Sequence, residues 1–525
     1  MAPQPLLAYY AVLAVALFPC SSFALASPKV VSFDLQRREV FIDDAPEHPL
    51  RRRANTVGAT LYNAQSNLLY LVNATIGTPG QQFSLQLDTG SSDIWIPWVR
   101  SLACSQKGRC ITGAYDAAAS STFADVAEDQ FTISYVDKTR IEGDYINETF
   151  AIGGATLKDM TMGLAKASSE QDTTSPFQGI VGVGFDTGEP LYAQTGITYP
   201  NVVSQFKAQG FIATRAYSLW LNDRESNSGN MLFGGIDYSK FNGDLTILPL
   251  QSDTRGGGVS SFTVVLDNFN VVGANKKVQY ASNLTIPVIL DSGTTLTYLP
   301  DSIANAIATG VGAVSNANYG VVVPCDVTNS PATFNFQFGN ANGPTIISEI
   351  SQFVLPFPAN IPTPRFRNGK VACRWGILPS GENPNLFGDT FLRSAYVVYN
   401  IDGAQVGIAQ TNFNVTKEDI REISATSSLP GATSTASGAA QQTHSGAIYL
   451  TGGGGGLAGA TATAVETATG TFDLGSSTAT STGQGGGKKG AAGHVQPPSK
   501  SFISAIAFAS IAFFAMAGGS MVIFI

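Results

Sequence analysis

Histidine is nearly missing from this chain. His48, His444 and His494 are the three in 525 residues. All three lie outside the stretch whose patterning suggests a packed core. A core without histidine cannot build a Ser-His-Asp triad, a Cys-His pair or a histidine metal site. No Ser/Lys or Thr nucleophile constellation stands out either, so the hydrolytic chemistry left is that of carboxylates. Charge is also sparse, at 13% of residues, with a net charge of −8 and a pI near 5.0. No basic run is dense enough to follow a phosphate backbone, which argues against nucleic acid as a partner. What the chain has instead is 44% hydrophobic residues and 55 glycines. That is enough apolar material for a large core, in a β-rich or partly low-complexity chain.

Both ends read as targeting or processing segments. Residues 1–26 carry an apolar run followed by Ala24-Leu25-Ala26, the pattern of a secretory signal with its cleavage site. Residues 27–53 are polar and end in Arg51-Arg52-Arg53, which predicts a propeptide cut by a processing protease. Toward the other end, 421–489 are rich in Ser, Thr, Gly and Ala. Such a composition predicts a disordered stalk, because it cannot bury enough surface to offset the entropy of ordering. Sixty-six residues of flexible coil (424–489) would span roughly 45 Å. Small residues at Gly490-Ala491-Ala492, a polar spacer and the apolar run 502–525 match a GPI-attachment signal at or near Gly490, with a tail-anchored helix as the alternative over 490–525.

Cys20 falls in the signal, leaving Cys104, Cys110, Cys325 and Cys373. Four cysteines allow three connectivities. The pairing of nearest neighbours, Cys104 with Cys110 and Cys325 with Cys373, is the simplest, and two disulfides imply an oxidising compartment. Glycosylation sequons occur at Asn73, Asn147, Asn283 and Asn414, with Asn73 inside a strand-like run.

One pattern occurs twice. Leu85-Gln86-Leu87-Asp88-Thr89-Gly90-Ser91-Ser92 resembles Val288-Ile289-Leu290-Asp291-Ser292-Gly293-Thr294-Thr295. Each is an apolar strand ending in Asp, a hydroxyl residue, Gly and two more hydroxyl residues. The aspartates are 203 residues apart, about half the core. Ile180-Val181-Gly182 ends 94 residues after the first, and Leu386-Phe387-Gly388 ends 97 after the second. The core therefore reads as two similar lobes, 54–245 and 246–420, each with one Asp loop backed by one apolar-apolar-Gly strand. Modest helical patterns appear at 201–209 and 302–309.

Two carboxylates held close together cannot both ionise easily, so they share a proton. The ionised partner can take a proton from a water, while the protonated partner polarises a scissile carbonyl. Gly90 and Gly293 permit tight turns at the carboxylates. Ser91 and Thr294 can donate to the outer carboxylate oxygens and hold the pair coplanar.

Across 69–409 the chain resembles the pepsin family, and within it the fungal GPI-anchored, yapsin-like aspartic proteases. The carrying motifs are Ile76-Gly77-Thr78-Pro79, Asp88-Thr89-Gly90-Ser91-Ser92-Asp93-Ile94-Trp95, Phe177-Gln178-Gly179-Ile180-Val181-Gly182, Asp291-Ser292-Gly293-Thr294 and Phe387-Gly388-Asp389. The resemblance implies an all-β bilobal fold with a central cleft. It implies Asp88 and Asp291 as the catalytic pair, with Thr89, Gly90, Ser91, Ser292, Gly293 and Thr294 in support. It also implies Tyr135 on a hairpin flap, its phenol paired with the Trp95 indole. The family continues Tyr-Gly-x-Gly, whereas this chain reads Tyr135-Val136-Asp137-Lys138. The flap tip is therefore altered, and Asp137 becomes a candidate for attracting a basic residue beside the scissile bond.

The expectation is an endopeptidase acting on proteins or peptides at acidic pH at the cell surface. It needs no cofactor or metal, is held to a membrane by its C-terminus, and is monomeric by default. A catalytically silent peptide-binding wall protein is the alternative. A two-carboxylate glycosidase fits the matched Asp-hydroxyl-Gly loops poorly.

Overall fold

The computed structural model describes residues 30–36, 69–106, 109–136, 138–169, 177–226, 228–252, 258–340, 342–357, 363–424, 429–436 and 470–475, and structural statements concern these. The signal peptide, Arg51-Arg52-Arg53, Asp137, Gly490 and the tail 490–525 lie outside the described residues.

Strands dominate, as short apolar runs punctuated by Gly, Asn and Pro predict. One sheet of fourteen strands carries the first half of the chain and the junction between the halves. A second sheet of seven strands carries most of the second half. The two helical patterns become helices Val202–Ala208 and Asp301–Val311. Asn201 caps the first, its side chain accepting from the amides of Val203 and Ser204. Gly312, at φ 74°, ends the second in the left-handed conformation that glycine tolerates best.

The duplicated pattern folds the same way twice. Strand Gln81–Asp88 runs parallel to Ile180–Gly182, with Asp88 opposite Gly182. Ile94–Pro97 then pairs antiparallel with Ile180–Gly182 on its other side. In the second half, Val278–Leu290 runs parallel to Leu386–Phe387, and Thr297–Leu299 pairs antiparallel with it. Glycine is required at each backing strand because the Asp loop rests on it. A Cβ on Gly182 would stand 2.6 Å from the Ser92 amide nitrogen, and one on Gly388 would stand 2.2 Å from the Thr294 carbonyl oxygen.

The halves are joined by strands drawn from both. Ala216–Trp220 pairs with Ala395–Asn400, that strand with Gln405–Thr411, and Gln405–Thr411 with Phe241–Pro249. The expected boundary between 245 and 246 thus falls inside a strand of the shared sheet. Beneath the Asp loops, Tyr217 stacks on Tyr399 at 5.0 Å between ring centroids, and Phe262 meets Tyr399 at 4.6 Å. These buried rings form a rigid floor between the lobes.

Two findings modify the expected domain plan. Part of the expected propeptide, Val31–Gln36, is a strand of the fourteen-stranded sheet, antiparallel to Ser228–Phe233 and touching Leu71 through Gln36. A cut after Arg53 would leave it held by its ladder of backbone hydrogen bonds. The expected stalk is not uniformly without structure either. Ala432–Thr435 lies parallel to Phe241–Pro249, and 470–475 rests on the C-terminal lobe.

The cysteines pair as Cys104–Cys110 and Cys325–Cys373. Asn283 and Asn414 are exposed. Asn73 and Asn147 are half-buried, and their amide oxygens accept from Ser84 and Thr161.

Candidate active site

The two Asp loops meet at the junction of the lobes, and both carboxyls are fully buried. Each carboxylate receives the same pair of donors. Asp88 accepts from the Gly90 amide at 2.8 Å and the Ser91 hydroxyl at 2.5 Å. Asp291 accepts from the Gly293 amide at 2.8 Å and the Thr294 hydroxyl at 2.6 Å. In each group the amide holds Oδ1 and the hydroxyl holds Oδ2, and the two carboxyls are close enough to act on one another's ionisation. A Cβ on Gly90 would lie 2.6 Å from Asp291 Oδ1, so only glycine lets the first loop come this close to the second carboxyl.

A crossed set of hydrogen bonds locks the loops together. The Thr89 hydroxyl donates to the Leu290 carbonyl at 3.0 Å and accepts from the Ser292 amide at 2.9 Å. The Ser292 hydroxyl donates to the Leu87 carbonyl at 3.1 Å and accepts from the Thr89 amide at 3.2 Å. Gln86 adds a bond that sequence reading did not single out, from its Nε2 to the Gly293 carbonyl at 2.8 Å. Its only sequence signal is a polar residue between Leu85 and Leu87.

Burial pushes both carboxyls above the ordinary carboxylate range. At Asp88 the neighbouring Asp291 charge adds to this, and the rise is large despite the opposing hydrogen bonds from Ser91 and Gly90. The pair is therefore poised to keep one proton between its members.

Strands Ala124–Ser134 and Arg140–Ile152 form the hairpin beside this pair, in register from Phe131 opposite Gly143 to Ser134 opposite Arg140. Period-two alternation turns Phe131, Ile133 and Tyr135 inward, where they pack with Trp95, Tyr145 and Phe177. Trp95 Nε1 donates to the Tyr135 hydroxyl at 2.5 Å. Beyond Tyr135 the tip closes through bonds from the Tyr135 amide to the Thr139 carbonyl and from the Lys138 amide to the Tyr135 carbonyl, each 2.9 Å. Lys138 has φ 69°, so a lysine holds the left-handed conformation at the place of the family's second glycine. Val136, at the place of the first, packs across the cleft against Ile289 and Leu386.

A sequence match confirms the family that this geometry indicates. A model of eukaryotic aspartyl proteases matches residues 69–411. The chain belongs to the eukaryotic aspartyl protease family. Among relatives of this aspartic-type protease is a protein named probable aspartic-type endopeptidase opsB in Aspergillus fumigatus. It is 40% identical over 412 residues, covering 77% of this chain and 81% of that protein. An acid protease of Saccharomycopsis fibuligera is 36% identical over 69% of this chain and 86% of its own length. Secreted aspartic protease 6 of Candida albicans is 33% identical over 72% and 84%.

A second carboxylate cluster lies behind the flap and was not singled out from the sequence. Asp93 is fully buried, and its Oδ1 accepts from the Tyr199 hydroxyl. The Tyr199 amide donates to Glu189 Oε2 at 2.9 Å, and Glu189 is also fully buried. Asp93 Oδ2, Glu189 Oε1 and the Tyr145 hydroxyl have no hydrogen-bond partner among the described residues. Burial pushes Asp93 up to about 7. Burial, together with the Asp93 charge, pushes Glu189 up to about 10.

Replacing Tyr135 with phenylalanine leaves the buried Trp95 N–H without its acceptor, at a cost of about 1–3 kcal/mol. Steady-state kinetics on a peptide substrate should register a fall in kcat/KM of roughly tenfold. Unchanged kinetics would mean that this bond does not position the flap.

Proposed function

We propose that this protease is a secreted, surface-anchored endopeptidase that hydrolyses protein substrates at acidic pH, with Asp88 and Asp291 activating the attacking water. The observation that carries the catalytic part is the pair of buried carboxyls brought together by the two loops, each braced by one amide on Oδ1 and one hydroxyl on Oδ2. With one proton on the pair, the ionised carboxyl takes a proton from the water as it attacks the scissile carbonyl. The protonated one donates to the developing oxyanion, and a proton then passes to the leaving nitrogen. Tyr135, held by the Trp95 indole, covers the substrate from the flap, and Asp137 at the flap's tip would favour a basic residue beside the cleaved bond.

Secretion is supported by the two disulfides and by relatives named secreted aspartic proteases. The apolar runs at the two ends and Arg51-Arg52-Arg53 support removal of 1–26, a processing cut after residue 53 and attachment of a GPI anchor near Gly490. Of the sequons, Asn283 and Asn414 are the best placed to carry glycans because they are exposed.

The pH dependence follows from the shared proton. Activity falls as rising pH removes it, and falls again as lowering pH adds a second proton to the pair. The raised value at Asp88 moves the alkaline limb to higher pH than an isolated aspartate would give. Assayed on a denatured protein or a peptide library, the enzyme should cleave between roughly pH 3 and 6 and be blocked by a statine-type inhibitor. Peptide binding without turnover across that range would overturn this reading.

A further inference from the structure

Between Tyr449 and Phe502 the chain contains one aromatic residue, Phe472, within Gly470-Thr471-Phe472-Asp473-Leu474-Gly475. These six residues rest on the C-terminal lobe. Thr471 and Asp473 are exposed, while Phe472 and Leu474 alternate with them and pack against the main core cluster. This is strand-like alternation with one face covered.

Three separate parts of the lobe hold the segment. The Phe472 amide donates to the Gly310 carbonyl at 2.9 Å, in the last turn of helix Asp301–Val311. The Ala274 amide, in the turn after Thr263–Val272, donates to the Asp473 carbonyl at 2.8 Å, and the Asp473 amide donates to Gln279 Oε1, at the start of Val278–Leu290, at 2.6 Å. The Ser330 hydroxyl donates to the Leu474 carbonyl at 2.7 Å. The segment then turns at Gly475, whose φ of 76° suits glycine and whose amide donates to Asp473 Oδ1 at 3.2 Å.

Gly310 is the receptor's most telling feature. A Cβ there would stand 1.9 Å from the Phe472 ring. Gly310 is absent from the left-handed positions, so alanine would fit the helix and would ordinarily favour it by about 0.5–1 kcal/mol. Glycine at this point removes helix propensity and makes room for the phenyl ring. Gly470 is similarly constrained, since its Cβ would lie 2.6 Å from the Gly310 carbonyl oxygen.

We propose that Thr471-Phe472-Asp473-Leu474 is an intramolecular latch. Its receptor is the face made by Gly310, the turn at Ala274 and Gln279, and Ser330. The latch fastens the C-terminal extension to the lobe 14 residues (476–489) before Gly490. A coil of that length has an r.m.s. span of roughly 20 Å, against roughly 40 Å for a coil of the 53 residues (437–489) that follow the strand Ala432–Thr435. The latch holds the catalytic lobe close to whatever secures the C-terminus. This consequence for reach rests on the anchoring proposed above, whereas the latch itself does not.

Hydrogen exchange on the full-length chain tests it. The amides of Phe472 and Ala274 should exchange at least about tenfold more slowly in the wild type than in Phe472→Ala or Gly310→Ala. All three proteins should cleave a soluble peptide equally well, since none of these residues belongs to the cleft. Phe472→Ala leaves the helix untouched, so loss of protection there cannot be assigned to helix damage. Protection should persist on hundredfold dilution. Wild-type residues 470–475 exchanging as fast as a free peptide, or protection that survives in both variants, would overturn the latch. Protection lost on dilution would overturn its intramolecular form in favour of docking from a second copy.

Discussion

Asp88→Asn and Asp291→Asn are each expected to give a folded protein with peptide-bond cleavage reduced by about 10⁴-fold, at the upper end of what positioned acid–base groups contribute. Asparagine keeps the shape of the side chain. Its amide oxygen can accept from the Gly90 or Gly293 amide, and its NH₂ can donate to the Ser91 or Thr294 hydroxyl, which rotates to accept. What disappears is the ability to exchange a proton with a water and with the partner carboxyl. Substitution at Asp88 also removes a buried ionisable group from beside Asp291, so the thermal midpoint at neutral pH should hold or rise. The check is kcat/KM measured beside a melting curve for each variant. Activity above about one per cent of wild type in either would refute the shared-proton mechanism.

The second large effect concerns stability against pH and centres on Asp93. Its folded value of about 7 lies above the ordinary carboxylate value near 4. Between those values the folded state holds a proton that the unfolded state has released. The contribution from neutral Asp93 is therefore fully present below about pH 4 and is lost as pH rises to about 7. The loss is roughly 4 kcal/mol, a large part of a typical domain's stability. Glu189 acts in the same direction, and its contribution continues to decline up to about pH 10.

The other groups facing this cluster are Asp186, Tyr145 and Tyr199. None is a cation, and Asp186 is itself engaged by Arg215 at 3.0 Å. Asp93→Asn keeps the acceptor for Tyr199 and removes the ionisation. It should raise the thermal midpoint at pH 7.5 by on the order of 10 °C and leave it nearly unchanged at pH 4. An equal shift at both pH values would mean that packing rather than ionisation is responsible. The consequence for function is an enzyme whose N-terminal lobe, and with it the flap, holds together best where the catalytic pair is also correctly protonated.

Much of the site is legible in the sequence because its chemistry is local along the chain. Asp, hydroxyl, Gly and hydroxyl in a row put one amide and one hydroxyl donor on each carboxylate, whatever the rest of the chain does. The backing strands were legible because a loop resting on a strand demands glycine at Gly182 and Gly388. Gln86, Val136 and the Asp93–Tyr199–Glu189 cluster were not, because each acts on residues remote in sequence. Tyr199 meets Asp93 across 106 positions, and Gln86 meets Gly293 across 207. The docked motif at Phe472 was hidden by its surroundings, since an average over a Ser/Thr/Gly-rich stretch dilutes two apolar residues.

The sequence by itself determined the reaction class and the two-lobed β architecture and nominated Asp88 and Asp291, because near-absence of histidine, a repeated loop motif and the family resemblance leave few alternatives. Only the tertiary structure decided how the loops interlock, which carboxyls outside the catalytic pair are buried and where residues 470–475 rest. Those outcomes depend on burial and on distances between residues far apart in the chain, and neither is encoded in any single stretch of it.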